Sequence, residues 1–199
     1  MPRCFFGLRM LSRSRSECVR ALEQLREFGH LHGPRLGDLR PVPADNLHLT
    51  LAFLGDVPAE AIGGLVDAVD QALGDRTSEP PAPLRGLGVF PDWRRPRAVY
   101  ARIADRPRQD QVSDLMGTVQ AACAGLGFPM EDRPRVPHVT LARVRRGRGG
   151  EPWEELVGRW EARDLGHVDL TTVFLFETRP GPQGSRYVAR ATIGDGAGS

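Results

Sequence analysis

The spacing of apolar positions changes along the chain, and each change marks an element. Arg3 to Leu8 is short and mostly apolar, which predicts a strand. From Ser12 to Phe28 the apolar residues Cys18, Leu22, Leu25 and Phe28 fall at helical spacing, with Ser12 or Ser14 as cap. Gly29 to Gly37 reads as a polar loop holding His30 and His32, and residues 39–43 lead extended into an apolar run, Asn46 to Gly55. That run predicts a buried strand ended by Gly55 and Asp56. Pro58 to Leu73 predicts an amphipathic helix with an Ile62, Leu65, Val66, Val69, Leu73 stripe.

The second half repeats the theme. Leu84–Phe90 and Arg97–Ile103 predict two strands, and Arg108–Leu126 a second amphipathic helix closed by Gly127-Phe128-Pro129. Pro137–Arg143 predicts another motif strand, Trp153–Trp160 a short helix, and Val168–Phe176 with Ser185–Ile193 two last strands. Strand then helix recurs around both apolar motif strands. This implies an α+β chain of two similar lobes, each giving one strand to a central cleft. No linker is long or polar enough to part independent domains, so residues 1–193 are expected to form one unit and 194–199 a frayed tail.

Composition narrows the class only a little. The 199 residues are 40% hydrophobic and 26% charged, which suits a globular unit with a sizeable core. Net charge is +2, and every basic side chain is Arg, a guanidinium suited to bidentate phosphate contact. No apolar run approaches the roughly 20 residues a membrane helix needs. Three cysteines without metal-ligand spacing, and no secretory leader, lead to the expectation of a reducing cytoplasm.

The chemistry lies in the two motif strands. Along a strand successive side chains face opposite ways, so His48 and Thr50 share one face and Leu47, Leu49 and Leu51 the other. Ninety residues later His138 and Thr140 share a face, opposite Val139 and Leu141. A single histidine on a strand is usually structural. Two copies of His-x-Thr-Leu in a chain with five histidines are not required by packing. Two imidazoles facing one cleft supply a general base and a general acid near neutral pH, and two hydroxyls can donate to phosphate oxygens.

The two motifs resemble those of the two-histidine phosphoesterase superfamily. Within it the chain is most similar to the RNA 2',3'-cyclic phosphodiesterases, also called the 2'-5' RNA ligase family. Residues 43–55 and Pro137–Arg143 resemble the family's two motifs, and Leu87-Gly88-Val89-Phe90-Pro91 its middle signature. The resemblance runs from about Arg3 to about Tyr187. It implies a bilobal fold with two antiparallel sheets, pseudo-twofold symmetry and helices on the outside. It also implies His48 and His138 as catalytic residues. Thr50 and Thr140 are the expected substrate contacts beside them, with Arg143 a third if its side chain turns inward. The implied reaction converts RNA 2',3'-cyclic phosphate ends to 2'-phosphates, with 2'-5' ligation as its reverse; the two-histidine acid–base scheme for it requires no metal, and no cofactor is expected. The family often has a Ser followed by Gly and Tyr near the C-terminus; here Gly184 and Tyr187 fit, and Thr178 stands nearest the serine.

Three other readings compete. The same site could act on 2'-5' oligonucleotides or a cyclic ADP-ribose phosphate. The histidines could only hold phosphate, in an RNA-end binding module. A metallohydrolase is weakest, since no carboxylate or further His is visibly placed to complete a shell. No obligatory protein partner is evident. Two basic stretches, Pro91–Arg97 with Trp93, and Arg143–Gly150, are candidate RNA-facing loops, the first as readily an ordinary hairpin turn.

Overall fold

The computed structural model describes residues 1–32, 38–74, 79–130, 136–145, 150–181 and 184–194. Eight strands and four helices make up the described fold: β1 (Arg3–Met10), α1 (Ser12–His32), β2 (Asp38–Pro41), β3 (His48–Asp56), α2 (Ala61–Leu73), β4 (Ala82–Phe90), β5 (Ala98–Ile103), α3 (Arg106–Gly125), β6 (His138–Arg145), α4 (Glu151–Arg159), β7 (Asp164–Gly181) and β8 (Gly184–Ile193). All strand pairings are antiparallel. The fold class is α+β, as the motif pattern implied.

The strands run β1-β3-β6-β5-β4-β7-β8, with β2 on β6 and β7 returning to β1. One group, β1, β3, β8 and the C-terminal part of β7, forms one lobe. The other, β2, β4, β5, β6 and the start of β7, forms the second. The two expected sheets are thus continuous at their edges. β7 makes the link because it is 18 residues long, twice the predicted strand. Its first residues pair with β4 and the rest with β1 and β8.

The helices cross between lobes. α1 follows β1 yet packs on β7, where Ser14 Oγ accepts from His167 N–H at 2.8 Å. α3 follows β5 yet packs on β3 and α2. The reason is their apolar faces: Cys18, Leu22, Leu25 and Phe28 on α1, and Val112, Leu115, Val119 and Cys123 on α3, are all buried. Asp105 caps α3 by accepting from Arg108 N–H at 2.9 Å.

Two sequence expectations shift. His30 lies on the last turns of α1, not in a loop, because the helix runs four residues past buried Phe28. Trp93 packs against the core and its carbonyl accepts from Gly150 N–H, so its ring supports the turn. Arg146, Arg148 and most of the predicted tail lie outside the described residues. No described helix is long and apolar enough to cross a membrane.

Candidate active site

The motif strands β3 and β6 meet at a single ladder pair, Leu49 with Val139. Each is the residue between His and Thr of its motif. An antiparallel pair centred there sets His48 across from Thr140 and Thr50 across from His138. A local twofold therefore passes through that pair. Leu49 and Val139 are fully buried on the core side, which holds the register, because a one-residue slip would put the histidines into the core.

On the other face opens a cleft of about 670 Å³. His48, Thr50, His138, Thr140 and Arg143, all five sequence-predicted site residues, line it together. Thr178 and Tyr187 from β7 and β8 line it as well. So does Arg97, which the sequence places where the candidate RNA-facing turn meets the next predicted strand; its carbonyl accepts from Val144 N–H and ties that strand to β6. Arg94, Arg95 and Arg145 do not line this cleft. Asp92 holds the turn instead, its carboxylate accepting from Arg94 and Arg95 N–H.

Both imidazoles are oriented in the same way. His48 Nδ1 lies 2.6 Å from the carbonyl of Asn46, and His138 Nδ1 2.7 Å from that of Val136. Each carbonyl belongs to the residue two before its histidine. A carbonyl only accepts, so Nδ1 carries the proton and the lone pair of the neutral ring sits on Nε2. His48 Nε2 is 3.1 Å from Thr50 Oγ, which donates to it in that tautomer.

Aromatic rings wall both histidines. Phe5 and Tyr187 stand 4.8 and 4.9 Å from His48, and Phe90 and Tyr100 stand 4.7 and 5.2 Å from His138, centroid to centroid. Gly88 makes room for the second wall: a β-carbon there would run into the Tyr100 ring. Burial pushes the His48 pKa down to about 4. The bond to the Asn46 carbonyl opposes this, while positive charge on His138 and Arg143 adds to it. His48 is neutral at neutral pH.

Asn46 is a residue the motif alone did not expose. It is buried, its side-chain amide donates to Ser185 O at 2.6 Å, and its Oδ1 accepts from Tyr187 N–H at 3.2 Å. It thus clips β8 beside β3, sets the Tyr187 ring against His48, and orients the imidazole through its own carbonyl. The available signal was a polar Asn two residues before the motif histidine, at the head of an otherwise apolar run. Among the described residues, no three His, Cys, Asp or Glu side chains gather as a metal site.

The family model described as LigT like Phosphoesterase matches this chain twice, over residues 16–100 and 103–187. The two matches adjoin within β5, and each carries one of the two motif strands. The chain is 32% identical over 147 residues to an RNA 2',3'-cyclic phosphodiesterase of Methanothermobacter thermautotrophicus, covering 73% of this chain and 77% of that protein. It is 34% identical over 106 residues to one of Geobacillus stearothermophilus, over 53% of this chain but only 32% of that longer protein. The crystal structure of Escherichia coli LigT complexed with 3'-AMP superposes with a TM-score of 0.70 at 26% identity, covering 97% of both chains.

Proposed function

The chain belongs to the LigT like phosphoesterase family, and from that premise we propose that it hydrolyses RNA 2',3'-cyclic phosphate ends to 2'-phosphates through His48 and His138. One observation carries the reading: two His-x-Thr pairs, related by a local twofold, face one cleft with the same Nδ1-to-carbonyl orientation. Water attacks phosphorus and gives its proton to one imidazole. The bond from phosphorus to the ribose 3' oxygen breaks, and the other imidazolium protonates that oxygen. Thr50 and Thr140 hydroxyls, with Arg143 and Arg97, steady the charge on the phosphate oxygens. With a 5'-hydroxyl RNA end in place of water, the same transfers form a 2'-5' linkage. No step is routed through a metal ion.

The test is hydrolysis of a short RNA ending in 2',3'-cyclic phosphate, with EDTA present and product identification. The expected outcome is a 2'-phosphate formed at an undiminished rate. A 3'-phosphate product would overturn the leaving-group assignment. Loss of activity in EDTA, restored by a divalent ion, would overturn the acid–base scheme.

A further inference from the structure

Beside the histidine cleft lies a second groove of about 430 Å³. The two share Tyr187 as a wall. Arg9, Arg15 and Arg186 line the groove, against one carboxylate, Asp45. Asp45 pairs with Arg15 at 3.4 Å while itself standing 96% exposed, so it neutralises little of the groove's charge. Arg9 is pre-positioned: its guanidinium lies over the Phe174 ring, 4.3 Å from the centroid. It also pairs with His48 across β1 and β3, so the groove begins one strand away from the catalytic cleft. Burial and the like charge of Arg15 both weigh on the Arg9 charge, with Asp45 opposing them. Asn46 belongs to both places: it lines the groove, and its carbonyl orients His48.

Three guanidiniums beside an aromatic wall suit a phosphodiester with its nucleoside, whereas a terminal cyclic phosphate already has its own cleft. We propose that the Arg9, Arg15 and Arg186 groove is a subsite for the phosphodiester preceding the terminal nucleotide, so that an oligonucleotide end is bound more tightly than a free nucleoside cyclic phosphate. The inference rests on the proposed function for its substrate end, and the site is new to it.

The experiment compares three substrates: a nucleoside 2',3'-cyclic phosphate, the same nucleotide with a 5'-phosphate, and a trinucleotide ending in cyclic phosphate. The proteins are wild type, Arg15→Gln/Arg186→Gln, and the triple variant with Arg9→Gln. The double variant keeps Arg9 over the Phe174 ring and guards against misfolding of the triple. The expected result is a roughly tenfold or larger rise in KM for the trinucleotide in the triple variant, with kcat nearly unchanged. The salt slope of binding should fall by about one for each guanidinium that no longer meets a phosphate. The nucleoside cyclic phosphate should be turned over as before. A 5'-phosphorylated mononucleotide that loses as much as the trinucleotide would mark a site for a terminal phosphate and overturn the internucleotide assignment. Equal losses on all three substrates, or an unchanged trinucleotide KM and salt slope, would overturn the subsite. If wild type turns over none of them, the proposed function fails separately. Equilibrium binding of a trinucleotide 3'-phosphate then decides: tighter binding by wild type than by both variants supports the groove, and equal binding sinks it.

Discussion

The two halves of the site share a register and differ in their surroundings. In both, a histidine and a threonine face the cleft, a buried aliphatic residue sits between them, and Nδ1 is tied to the carbonyl two residues back. In the first half that carbonyl belongs to buried Asn46, whose amide binds β8. In the second it belongs to Val136, an aliphatic residue 44% exposed. The partner strands differ too. Across from Thr50 stands Gly7, and across from Thr140 stands Tyr100. A β-carbon at Gly7 would press to 2.8 Å on the Leu49 carbonyl, while the Tyr100 ring has room because Gly88 lies beneath it. Duplication thus kept what the chemistry needs, a period-two strand with its orienting carbonyl. The surroundings diverged, so His48 is walled by a clipped strand and driven neutral.

The largest expected effect comes from removing either centre of this pair. His48→Ala and His138→Ala should each lower kcat/KM on a cyclic-phosphate substrate by roughly 10²-fold or more. The double variant should be little worse, because groups that act on one phosphorus atom are not additive. Wild-type kcat/KM should be bell-shaped in pH, with a low limb near 4 assigned to His48. Bound phosphate should raise that limb in kcat, since negative charge favours the imidazolium. A folded single variant, checked by circular dichroism, with near wild-type turnover would remove that histidine from the mechanism.

Asn46→Ala tests whether the asymmetry depends on the clip. It leaves the Ser185 carbonyl and Tyr187 N–H without that partner, at a cost of about 1–3 kcal/mol in stability. With Tyr187 loosened, water reaches His48 and the low limb should move up from about 4 toward the ordinary imidazole range. The same shift bears on acid stability. Because the folded pKa of His48 lies below its unfolded value of about 6.5, the unfolded chain binds more protons in between. The contribution of neutral His48 is present above about 6.5 and is lost as pH falls through about 4. Wild type should lose more stability over that window than Asn46→Ala, read by denaturant titration at each pH. An unmoved limb together with unchanged stability would reduce Asn46 to a spectator.

The smallest effect is expected at the hydroxyls. Thr50→Ala and Thr140→Ala should each cost about tenfold or less in kcat, since each removes one neutral donor. Thr50→Ala should also shift the pH profile, because Thr50 donates to His48 Nε2. A loss as large as that of the histidine variants would place the threonines in the proton transfer itself.

Much of this was legible before the fold. Helical spacing and strand alternation placed every described helix and most strands, and the apolar side of each motif named the residues that hold the register. The end of α1 was missed, since Gly29 reads as a stop while Phe28 packs into the core and keeps the helix going. Each of the two basic stretches gives one arginine to the cleft. Charge in a sequence says nothing of direction, and it is Arg97 and Arg143 that line the cleft, not Arg94, Arg95 or Arg145.

The sequence by itself determined which side chains share a face, because His-x-Thr on a strand puts both on one side whatever surrounds them. It determined the repeat as well, since the same local pattern reappears around both motifs. Only the tertiary structure decided that the two copies meet at Leu49 and Val139, that β7 joins the lobes, and that Asn46 ties β8 to His48. Those contacts join residues far apart in the chain, 141 positions for Asn46 and Tyr187. Local periodicity carries no information at that separation; pairing geometry and burial set it.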